Sequence, residues 1–291
     1  MEVYPFTKIA WRSEKISQTW EPVMARIGDA SWFAEYESVK RGLRSCDVYQ
    51  LDPDKFDWQI KRVTLDSLWF MPILRSKQYK GFGHRHYPTD TIDKDTFIYG
   101  VIGKQREDAI KFHDAGVTDL RKRVHSWSPM EMNPTGIDHN VTGELLGYPK
   151  CDRDFFVGTW LKGGCLDPEY EIAANTANAE FESTPDTDII KVSGNPLLNR
   201  LTRYWGFQII PYFSHSFDCR ESVKFANWWI ELMREKDREA TDLCLSLLNM
   251  PMEWSVWNGI IYVDHPLFVG AANGYYPTRK KTVKWFPSDS T

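Results

Sequence analysis

The sequence predicts an α/β or α+β chain in which helices cover a mixed sheet, and three observations predict it. Twice a short β-branched and aromatic run leads through a turn into a helix pattern: "TFIYGVIGKQREDAIKFHDAG" from residue 96, and "FQIIPYFSHSFDCRESVKFANWWIELMREK" from residue 207. The segment "MEWSVWNGIIYVDHPLF" from residue 252 reads as a hairpin that turns at Asn258 and Gly259. A chain of 291 residues, 42% hydrophobic and 26% charged, buries a substantial core without disulfide staples. With no repeat and no pooled Pro or Gly linker, the simplest organisation is one compact domain. It would have an N-terminal elaboration over residues 1–95 and an α/β core over 96–291.

Each element has its own warrant. Residues 20–45 carry apolar side chains at mixed three and four spacing, a helix interrupted at Gly28. "RVTLDSLWFMPIL" (62–74) reads as a strand and "GFGHRHYP" (81–88) as the loop after it. The strand at 96 passes a Gly103 turn into a helix closed by Gly116. In "DHNVTGELLGYPKCDRDFFVGTWLKGG" a helix over about 139–146 and another over about 151–162 flank a Gly-Tyr-Pro turn. "PLLNRLTRYWG" reads as a helix, "FQIIPYF" as a buried strand, and the helix from Cys219 places Val223, Ala226, Ile230 and Met233 on one face.

The charge of -4 and pI near 6.0 weigh against a chain held on nucleic acid by its net field, although 13 Trp, 13 Tyr and 16 Phe supply aromatic surface. The basic run Arg279–Trp285 is the local candidate for such binding, and as an edge strand its lysines simply deter pairing. No apolar run approaches the length that spans a bilayer, and the N-terminus lacks a signal-peptide pattern, so a cytoplasmic chain without membrane association is expected. Five cysteines without dense spacing suit reduced thiols or metal ligands rather than a disulfide framework.

The candidate chemistry gathers at helix starts. His215, Asp218 and Cys219 sit where a turn enters a helix, and the N–H groups there favour a thiolate. His139 and Cys151 begin two further helices across the Gly-Tyr-Pro turn. Two Cys and two His are a donor set that suits tetrahedral zinc. The carboxylates nearest in sequence for acid–base work are Asp218, Glu144 and Asp152. Glu253, with Trp254, Trp257 and Asn258, makes a recognition edge for a flat polar substrate. "GHRHYP" could grip a metal or phosphate, and Lys104 with Arg106 an anion, but neither carries a phosphate-loop or dinucleotide pattern.

"GELLGYPKCDRDFF", "SHSFDC" and "PMEWSVWNG" resemble, in the same order, three motifs of an uncharacterised prokaryotic family (domain-of-unknown-function family 483): GxLLGYPxCCxxFF preceded by a His, PCSxxC, and PxEWSxLHG. The resemblance covers roughly residues 96–270 and implies a metal site, since His215 stands where that family has Cys, an exchange that ligand positions tolerate. Asp152 replaces the second Cys of the pair, as a carboxylate ligand or at a dispensable position, and Asn258 replaces a His. The family brings no activity with it. The expectation is a zinc-dependent enzyme for a small planar, nucleobase-like molecule, acting by hydrolysis, decarboxylation or elimination. Cys151, His215 and Cys219 would hold the ion, with His139 a fourth ligand or relay, and Asp218 or Glu253 would move protons. The alternative is a binding module for nucleic acid or protein with a structural zinc.

Overall fold

The computed structural model describes residues 8–51, 55–78, 86–88, 96–117, 138–161, 168–185, 187–203, 207–255, 260–263, 265–272 and 281–288. In chain order the elements are β1 (Lys8–Trp11), α1 (Glu14–Lys40), β2 (Cys46–Leu51), α2 (Phe56–Leu65), β3 (Trp69–Gln78), β4 (His86–Pro88), β5 (Thr96–Gly103) and α3 (Arg106–Phe112). They continue with α4 (His139–Leu145), α5 (Lys150–Phe155), α6 (Glu169–Ala174), β6 (Glu180–Ser183), β7 (Asp188–Gly194), α7 (Arg220–Lys236) and α8 (Arg238–Leu248). The chain closes with β8 (Met252–Ser255), β9 (Ile260–Val263), β10 (Phe268–Ala272) and β11 (Lys281–Pro287). The α/β class holds, and the chain divides into two compact units: Met1–Ala34 with Asp167–Thr291, and Glu35–Leu166.

The Glu35–Leu166 unit is built on an antiparallel sheet in the order β2-β5-β3-β4. Where β2, β5 and α3 meet, both faces carry a core. Tyr36, Val39, Val63, Leu68 and Ile102 pack on one side, and Cys46, Val101, Ala109, Phe112 and Leu145 on the other. Neighbouring residues Val101 and Ile102 therefore enter different cores, as the alternation of a strand requires. Gly100 leaves room for a ring, because a Cβ there would fall 1.9 Å from Phe70 Cε2. A boundary at residue 95 is corrected by this sheet: β3 pairs with β5, so residues before and after 95 share one ladder.

The other unit carries a seven-stranded sheet in the order β1-β10-β9-β8-β11-β7-β6, mixed because β11 runs parallel to β7 while its other pairings are antiparallel. Ile261, Trp254, Val283 and Ile190 form a fully buried row across β9, β8, β11 and β7. The paired row one residue along, Tyr262, Glu253, Lys284, Lys191 and Glu180, lies on the opposite face and is polar and wholly or partly exposed. The basic run expected at a sheet edge is interior, since β11 sits between β8 and β7. Its edge reading fails because Val283 and Trp285 alternate with the lysines and are fully buried.

Local expectations divide unevenly. The two helices around the Gly-Tyr-Pro turn, the strand at 96 and the paired strands of the hairpin are present, while the Asn258–Gly259 turn lies outside the described residues. α1 runs unbroken through Gly28, where nothing stands within 4 Å of an added Cβ. Residues 62–65 close α2 instead of opening a strand, and in the described part of "PLLNRLTRYWG" Pro196–Leu198 make a short 3-10 turn in place of an α-helix. "FQIIPYF" is buried without laddering: Ile209 and Ile210 are core residues in a run of bends. A short apolar run cannot by itself distinguish a strand from packed coil.

Candidate metal centre

Gly147 takes φ 75°, the left-handed conformation that ends α4, and Tyr148 N–H bonds Gly143 O at 2.8 Å. Pro149 then starts α5, its carbonyl accepting from Asp152 and Arg153 N–H. This pair of helix breakers puts Cys151 and Asp152 in the first turn of α5, the thiol exposed and the carboxylate buried.

His215 and Cys219 come from the turn ahead of α7. The turn is tied at several points: Asn175 Nδ2 donates to His215 O at 3.2 Å, Phe217 N to Thr176 Oγ1 at 3.0 Å, and Asn195 N to Phe217 O at 2.8 Å. Cys219 is the N-cap of α7, its sulfur accepting from Ser222 N at 3.5 Å. Ser222 Oγ in turn accepts from the Tyr212 hydroxyl at 3.0 Å. Behind it Ala226, Ile230 and Met233 are buried as expected, with Phe225 and Trp229 added to that face and Val223 half-buried.

The donor atoms of Cys151, Asp152, His215 and Cys219 all lie within 4.8 Å of one another, and this group can hold a metal ion. Bonds of about 2.0–2.3 Å in a tetrahedron separate donors by about 3.3–3.8 Å. Two sulfurs, one imidazole and one carboxylate fit a borderline cation such as zinc better than calcium or magnesium, which prefer oxygen alone.

The expected set is changed in one member. His139 opens α4 with its ring 5.2 Å from the Phe156 ring and is not part of the group. Asp152 is, and the sign available in the sequence was its position: it stands where the resembled motif doubles its Cys. Cys46 and Cys244 are ordinary core thiols, pushed up to about 12 chiefly by burial. Cys165 lies outside the described residues.

The remaining candidates fall elsewhere. Asp218 is exposed and accepts from Ala177 N at 3.2 Å, next to Cys219 in sequence. Glu144 is exposed on α4, 3.5 Å from Arg153. Trp254 is fully buried, so it packs the sheet rather than presenting an indole to a ligand, while Glu253 points to the opposite, open face. The recognition edge is thereby split, because consecutive strand residues face opposite ways. Trp257 and Asn258 lie outside the described residues, as do residues 81–85 of the "GHRHYP" loop. Lys104 donates to Lys40 O at 2.7 Å, and Arg106 stands 6.0 Å from the Trp69 ring centre.

Comparison of the chain with family models, curated proteins and solved structures finds no match. Among the described residues no helix is long and apolar enough to cross a membrane.

Proposed function

We propose that the chain is a zinc-dependent enzyme for a small planar, polar, nucleobase-like molecule, working by metal-assisted hydrolysis or by elimination such as decarboxylation. The observation that supports it is the convergence of Cys151, Asp152, His215 and Cys219. In this reading Cys151, His215 and Cys219 hold zinc and Asp152 occupies the fourth place, the one a substrate or water would take over. Zinc supplies a Lewis acid there. Asp218, solvated and adjacent to a ligand, carries protons. His139 serves at most as a relay.

A structural zinc is the second reading, and the donor set itself favours it. Four protein donors close a tetrahedron, and two thiolates plus a carboxylate overcompensate a dication, which weakens it as a Lewis acid. The two readings part on Asp152. Metal content of the purified chain should be about one zinc, retained in His139→Ala and lost in Cys219→Ser or His215→Ala. Asp152→Asn should keep the metal and the fold but change turnover of a nucleobase panel if the site is catalytic. An Asp152→Asn chain that unfolds on losing zinc points to a staple, and a metal-free wild-type chain with freely titratable Cys151 and Cys219 ends both readings.

A further inference from the structure

The open face of the seven-stranded sheet carries a cavity of about 400 Å³ lined by Arg12, Glu253, Tyr262, Lys284 and Phe286 over Met252. Strand alternation builds it. Tyr262 stands between buried Ile261 and Val263, Glu253 between buried Met252 and Trp254, and Phe286 beside buried Trp285. All three therefore project from the same side of the sheet, and the register places Tyr262 opposite Glu253 and Glu253 opposite Lys284. Tyr262 is 49% and Phe286 46% exposed, so two aromatic rings are held in water beside a carboxylate. Isolated exposed aromatics are common on protein surfaces. Two on one sheet face flanking a charged floor form a stacking site of the size that small ligands fill.

We infer that this cavity binds a single nucleotide whose base offers two adjacent N–H donors, a guanine-type edge, stacked against Tyr262, the ring paired with Glu253 in register. Charge complementarity selects that occupant. A carboxylate only accepts hydrogen bonds, and it takes two best from neighbouring N–H groups. Lys284 lies 3.6 Å from Glu253, holding the acid in place without covering it, as both side chains stay more than one third exposed. Arg12, whose Nε donates to His265 O at 2.6 Å, is fixed at the rim with a guanidinium suited to a phosphate.

A long single strand is a poorer fit. Beyond the cavity Lys191 is paired with Glu182 at 3.1 Å, and Glu180 stands opposite Lys191 in register, so the face has no continuous basic track. The site shares no residue with the Cys151, Asp152, His215 and Cys219 group and does not rest on the zinc reading. It gives Glu253 the task of gripping a ring rather than moving a proton.

Titrating the whole chain with guanosine 5′-monophosphate, adenosine 5′-monophosphate and cytidine 5′-monophosphate by calorimetry tests it. The guanine nucleotide should bind at least about tenfold tighter than the others, since their bases set an acceptor beside the amino group. Glu253→Gln and Tyr262→Ala should each weaken it about tenfold without changing the unfolding midpoint, and Arg12→Ala should weaken the nucleotide while leaving guanosine unaffected. Chelating metal should alter none of these values as long as the unfolding midpoint shows the chain still folded. Equal binding of the three nucleotides, undiminished binding by Glu253→Gln, tighter binding of an oligonucleotide, or no binding at millimolar ligand would each overturn the inference.

Discussion

The two sheets solve the same problem differently. In the Glu35–Leu166 unit the end of β5 is buried on both faces, Ile102 in the Tyr36–Val63 cluster and Val101 in the Cys46–Phe112 cluster. In the other unit β8 is buried on one face only: Met252 and Trp254 face the core, while Glu253 and Ser255 do not. A strand enclosed on both sides devotes every residue to packing and has none left for a ligand. A strand open on one side keeps every second residue available, and Glu253, Tyr262, Lys284 and Phe286 are such residues.

The largest expected effect tests that contrast within β8. Trp254→Ala removes a fully buried indole and should destabilise by about 3–5 kcal/mol, whereas its neighbour Glu253→Ala should stay within about 0.5 kcal/mol. Denaturant midpoints measure both. In β5 two consecutive truncations should both be costly, Ile102→Ala by about 2–5 kcal/mol and Val101→Ala by about 2 kcal/mol, because each side chain is 0% exposed in a different core. A mild value at either one would mean that its face is not closed. Gly100→Ala comes next, at about 1–3 kcal/mol, the added methyl forcing the half-buried Phe70 ring aside.

The same contrast decides what was legible in the sequence. Alternation is a local signal, so the paired strands of the 252–268 hairpin and the amphipathic α7 could be read from spacing, as could the helix break at Gly147 and Pro149. The interior place of β11 could not, because its partner β7 is nearly a hundred residues away and a lysine-bearing strand looks like an edge from sequence alone. "FQIIPYF" misled for a related reason: apolar content reports burial, and Ile209 and Ile210 are buried without a ladder. Three of the four members of the metal group were legible as Cys and His at helix starts. The fourth, Asp152, was legible only as an open choice between carboxylate ligand and dispensable position, since an Asp in the first turn of a helix has a sufficient local explanation as a helix-start residue.

Acid–base behaviour separates the two units with smaller effects. Burial, with the Asp47 charge adding to it and Arg44 opposing, pushes the Glu35 carboxyl up to about 8. The folded chain then keeps a proton that the unfolded chain releases above its ordinary value of about 4.5. Stability from this group is full below about 4.5 and is lost as pH rises towards about 8. Asp237 in the other unit behaves oppositely. Arg26, bonded to it at 2.6 and 2.8 Å, holds its carboxyl below the usual range, so its contribution is present above that range and is lost as pH falls through it. Glu35→Gln should therefore roughly halve the decline in urea midpoint between pH 5 and 8, and Asp237→Asn should act only on the acid side, more weakly because Arg26 is solvent-screened. Should Glu35→Gln track the parent chain across that range, the Glu35 carboxyl is not the cause of the decline.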